Sequence, residues 1–96
     1  MANLQHAIHP GTMVEEWREG LALTVGDMAA HLGVTRQTLS RIIHGRQSVT
    51  ADMALRLSEA LNTSPQVWLN LQQRYDLAQA SQARRKRIPQ LSAVAA

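Results

Sequence analysis

GVTRQTLSRIIHG, residues 33–45, lies between two apolar helical patterns and holds two arginines but no acidic residue. At 100° per residue, a helix through it carries Leu39, Ile42 and Ile43 on one side. Gln37, Ser40, Arg41 and His44 occupy the opposite arc, and Arg36 flanks that arc at the N-terminal end. Thr35 is placed to cap this helix, and Gly45 to end it in the left-handed conformation after about His44. Three aliphatic anchors thus oppose a face of hydrogen-bond donors. Arginine and glutamine are also the residue types that bond guanine and adenine edges in a bidentate fashion.

The segment before it completes a motif. Thr24 can cap a helix, with Asp27 three residues on, and Val25, Met28, Ala29 and Leu32 then share one face until Gly33. Helix, glycine turn and helix have the dimensions of a helix-turn-helix, whose second helix enters the DNA major groove. Two arginines on a polar face would by themselves fit a merely solvated surface. The small Ala29, the turn glycine Gly33, Val34 behind it and the aliphatic pattern after Thr35 together favour DNA.

Outward from this pair the chain reads as helical throughout. Pro10 suits a helix start, followed by Met13, Val14, Trp17 and Leu21, with Gly20 near the end. Thr50 caps a helix whose Met53, Ala54, Leu57 and Leu61 face inward, closed by Asn62. Ser64 and Pro65 open a long last helix running to about Ala83. The expectation is an all-α, five-helix bundle over residues 1–83, with a basic, disordered tail over residues 84–96. Trp17 and Trp68 each lie on an apolar stripe and are expected as core anchors.

That last helix carries apolar residues on two sides. Val67, Trp68, Leu71, Tyr75 and Ala78 form the stripe expected to face the core, while Leu69, Gln73, Leu77 and Ala80 form another roughly opposite. Helix-turn-helix modules generally bind as two-fold dimers, so Leu69, Gln73 and Leu77 are assigned to a homodimer seam.

Charge and composition bound the function. The 96 residues form one domain and carry a net charge of +3. Arg84, Arg85, Lys86 and Arg87 supply four positive charges, so the remainder is close to neutral. Between Asp27 and Asp52 the only charged residues are Arg36, Arg41 and Arg46, a window suited to an anionic partner. The absence of cysteine leaves no disulfide framework and no thiolate metal site. No apolar run approaches the roughly 20 residues that span a bilayer, and the start MANLQHAIHPG has no secretory pattern; no membrane association and a cytoplasmic location are expected.

Candidates for covalent chemistry are weak. His6, His9, His31 and His44 have no metal-ligand spacing, and no metal or other cofactor is expected. Ser40 has His44 a turn later but no carboxylate to orient it, so no enzyme is expected. Glu15, Glu16 and Glu19 read as a solvated face that could also meet a basic protein.

MAAHLGVTRQTLSRIIHG, residues 28–45, resembles the phage-repressor type of helix-turn-helix, the Xre or Cro type. The resemblance implies a lambda-repressor-like fold that binds double-stranded operator DNA. Arg36, Gln37 and Arg41 would hold the base-reading positions, Thr35, Thr38 and Ser40 would assist, and His44 and Arg46 would lie near the DNA backbone. Ile43 stands where the family usually has an acidic or polar residue. A second resemblance rests on HPGTMVEEW, residues 9–17, and VTADMALRLSEALNTSPQVWLNLQQRYDL, residues 49–77. With the motif between them they look like a HigA-type antitoxin. Such a protein would be a homodimer that represses its own operon and neutralises a HigB-like toxin, an mRNA-cleaving ribonuclease of the RelE type. Two other readings stay open at this point: a stand-alone repressor of the same fold, and an interaction module that no longer binds DNA.

Overall fold

Every helix of the computed structural model begins on a side chain that accepts a free backbone N–H of its first turn. Residues 7–83 and 86–92 are described, and they form α1 (Pro10–Gly20), α2 (Val25–Leu32), α3 (Arg36–Ile43), α4 (Ala51–Leu61) and α5 (Pro65–Gln82), with no strand among them. Thr24 accepts from Asp27, Thr35 from Thr38, Thr50 from Met53 and Ser64 from Gln66. The fifth cap is a histidine, since Nδ1 of His9 accepts the Gly11 N–H at 2.9 Å. The stops are equally local. Gly33, Gly45 and Asn62 have φ of 75°, 73° and 55°, and the residue after each donates its N–H five residues back, to Ala29, Arg41 and Ser58.

All five helices contribute to one core. Trp68, Leu39, Ile42, Leu57 and Val14 are among its largest fully buried side chains. The indole N–H of Trp68 donates to the Thr63 hydroxyl at 2.8 Å, so burying the ring leaves no unpaired donor. α3 packs between α1 and α2, and α5 lies along α4 and α1.

Three core expectations need correction. Trp17 is 37% exposed and Leu21, just past the end of α1, is 50% exposed. The buried residues of α1 are Pro10, Gly11 and Val14, all in its first half, so its second half runs out beyond the core. Val67 is also exposed, because the inner face of α5 is centred between Trp68 and Gln72. Arg84 and Arg85 of the expected basic tail, and His6, lie outside the described residues; Lys86 and Arg87 are exposed.

Candidate nucleic-acid interface

α3 stands on Leu39 and Ile42, which are 0% and 1% exposed, with Ile43 half-buried beside them. The opposite side meets solvent. Thr35, Arg36, Gln37, Arg41, His44 and Arg46 are exposed, and Thr38 and Ser40 are half-exposed, so all eight residues singled out for DNA contact lie at the surface. Arg36 is the first residue of the helix, and Arg46 lies three residues past its last, its N–H bonded to the Arg41 carbonyl at 2.8 Å.

Hydrogen bonds sort these residues into different roles. The Thr35 hydroxyl accepts the Thr38 N–H at 3.0 Å and donates to the Thr38 hydroxyl at 2.9 Å, so it is engaged within the cap. The Thr38 hydroxyl keeps its own proton to offer outward. Nδ1 of His44 lies 2.8 Å from the Ser40 carbonyl and 3.5 Å from the Ser40 hydroxyl, so the ring is held by backbone and forms no activated serine.

The electrostatics favour an anion. Among the described residues Arg36, Arg41 and Arg46 form no ion pair. Glu15, a neighbour of His44, is held by the Nε and Nη2 of Arg18 at 2.7 and 2.5 Å. The hydrogen bond from Arg18 keeps the Glu15 carboxyl below its ordinary range, against a smaller opposing effect of desolvation. The carboxylate near the C-terminal end of α3 is therefore already paired with a cation. No group of three or more histidine, cysteine, aspartate or glutamate side chains that could hold a metal occurs among the described residues.

A helix-turn-helix family model matches residues 14–68. The chain belongs to this helix-turn-helix family. Virulence-associated protein A' of Dichelobacter nodosus is 41% identical over 75 residues, covering 77% of this chain and 65% of that protein. The chain thus spans slightly less than two thirds of that relative. A solved HigA-family addiction-module antidote protein from Coxiella burnetii is 39% identical, with a TM-score of 0.72 over 77% of this chain and 82% of that one. The Pseudomonas aeruginosa antitoxin HigA, solved with the higBA promoter, is 35% identical, with a TM-score of 0.78 over 81% and 86%.

In this helix-turn-helix chain the residues that aim α3 are largely ones that motif reading passes over. A Cβ on Gly11 would land on the Ile42 carbonyl oxygen, so only glycine lets α1 lie this close to α3. Nη1 of Arg56 donates to the Leu32 carbonyl at 2.9 Å and the Gly33 carbonyl at 3.3 Å, while its Nε pairs with Asp52. This clamps the turn of the helix-turn-helix to α4. Gln72 is buried, and its side-chain oxygen accepts the Val49 N–H at 2.8 Å while its amide donates to Asp76 at 3.0 Å. Gly11 and Gln72 fall within the two stretches that resemble HigA-type proteins, residues 9–17 and 49–77, but only their long-range contacts give them a role.

Proposed function

We propose that the chain is an antitoxin that binds its operator as a homodimer, represses its own operon and neutralises a HigB-like ribonuclease toxin. The observation that carries the DNA-binding part is the exposed, acid-free arc of α3 above buried Leu39 and Ile42. Arg46, and the helix N-termini, hold phosphates and set the register; Arg36, Gln37 and Arg41 then read base edges. The antitoxin part is supported by similarity to HigA-type proteins over most of the chain.

Two recognition helices must sit about 34 Å apart to enter successive major grooves, which calls for a two-fold seam. Gln73 and Leu77 lie exposed on α5, with Leu69 half-buried against the core at the same edge. They form that seam. The protein acts by occupancy and capture, without a covalent step.

Co-expression with the product of the adjacent reading frame tests the reading. Relief of growth arrest and co-purification are expected, together with a shift of the shared promoter DNA. Arrest that persists at full antitoxin expression, or promoter DNA bound no better than scrambled DNA, would refute it.

A further inference from the structure

α1 carries a second working surface, on the half that leaves the core. Trp17 and Leu21 border a groove of about 520 Å³ that Met13, Gly20 and Thr63 complete. Past Leu21 the groove continues into an apolar hollow between α2 and α4, floored by Leu23, Met28 and Leu61. In the other direction Met13 and Glu16 lead to a hollow reaching exposed Ile8 and half-buried Leu71. The three hollows adjoin through Leu21 on one side and Met13 and Glu16 on the other, so large apolar side chains line a strip of surface, a feature that marks interaction sites.

The carboxylates around the strip outnumber the cations, and three of them form no ion pair among the described residues. Glu16 lines the groove, Glu19 is exposed on the same helix, and Glu59 stands on α4 beside the far hollow. The arginines nearby are already paired, Arg18 with Glu15 and Arg56 with Asp52. Neither Glu16 nor Glu59 forms an ion pair among the described residues. Such a rim repels DNA and attracts a cationic protein.

We propose that this strip, from Ile8 to Leu21 along α1, is where the toxin docks, an apolar side chain of the toxin filling the Trp17–Leu21 groove and its basic residues meeting Glu16, Glu19 and Glu59. The inference rests on the antitoxin reading above. A protein that cleaves mRNA must present cationic surface to a polyanion, so it brings the charge the rim lacks. An apolar centre inside a charged rim is also the usual anatomy of a specific interface. No residue lining the strip belongs to α3 or to the seam of Leu69, Gln73 and Leu77. Toxin, operator and second protomer can then be held at once.

The test uses the full chain and a catalytically inactive form of the neighbouring toxin, titrated calorimetrically. Trp17→Ser with Leu21→Ser is expected to weaken toxin binding about 100-fold or more, while operator affinity stays within about twofold, since neither residue is among those assigned to DNA contact. Should that pair perturb folding, the surface changes Glu16→Lys, Glu19→Lys and Glu59→Lys together carry the test, slowing association about tenfold at low salt and little at high salt. Unchanged toxin affinity in both sets overturns the groove and leaves the antitoxin reading standing. A change in oligomeric state with toxin affinity intact assigns the strip to a second copy of this chain and also overturns the proposal. Failure of the unaltered chain to bind the toxin overturns the antitoxin reading itself, and this inference with it.

Discussion

The side-chain oxygen of Gln72 accepts the backbone N–H of Val49 at 2.8 Å, which ties α5 to the segment leaving α3 across 23 residues of sequence. Val49 is 3% exposed, so without Gln72 its N–H has no other partner and no access to water. Gln72→Leu keeps the volume and removes the acceptor. It should cost about 1–3 kcal/mol, the penalty of a buried unpaired donor. In a domain of this size each kcal/mol lowers the thermal midpoint by about 4–8 °C, measurable by circular dichroism.

Two glycines of α1 predict opposite signs for one substitution. Gly11→Ala drives a methyl into the Ile42 carbonyl and must push α1 off α3, costing about 3 kcal/mol or more. Gly20 has nothing within 4 Å of the position a Cβ would take. Gly20→Ala should therefore stabilise the fold by up to about 1 kcal/mol through helix propensity. Chemical denaturation of the two variants side by side checks both.

His9 should make stability depend on pH. Its ring packs edge-on against Tyr75 at 4.8 Å, and burial lowers its pKa below 6.5, opposed by the charge of Asp76 and a backbone hydrogen bond at Gln47. The neutral ring is the form whose Nδ1 accepts the Gly11 N–H. With the folded value below the unfolded one, its contribution is complete above pH 6.5 and is lost as pH falls through the lowered value. His9→Asn retains a capping acceptor without a titrating ring. Its melting temperature should fall less than that of the unaltered chain between pH 7.5 and about pH 5.

On the DNA face, Arg41 and Arg46 should fail differently. Arg41→Ala should cost about 1–3 kcal/mol on the cognate operator and relax one base position. Arg46→Ala should weaken binding to all duplexes alike and flatten the salt slope by about one unit. Titrations on operator and scrambled DNA at two salt concentrations separate the two; equal losses on both sequences for Arg41→Ala would refute the division of labour.

At the proposed seam, Leu77→Glu should leave a folded monomer in place of the proposed dimer. Leu77 is 55% exposed in the single chain, so the change costs the monomer's own fold little. Sedimentation should show half the mass with the helical signal retained, and operator affinity should drop with it.

Local physics was legible from the residues alone. A threonine or serine three or two positions before the N–H it accepts, and a glycine or asparagine that tolerates positive φ, act within one turn of helix. Thr24, Thr35, Thr50, Ser64, Gly33, Gly45 and Asn62 accordingly mark the element boundaries. The 3.6-residue period likewise put Leu39 and Ile42 inside and Gln37 and Arg41 outside. What tertiary structure alone decided depends on partners far along the chain: the carbonyl that makes Gly11 obligatory, the N–H that makes Gln72 internal, the turn held by Arg56, and the early end of the core that leaves Trp17 and Leu21 in water. Periodicity states which side chains share a face of a helix. How far that face is covered depends on where a neighbouring helix stops, and in α1 the close backbone approach to α3 is at Gly11, in the half that holds its buried residues.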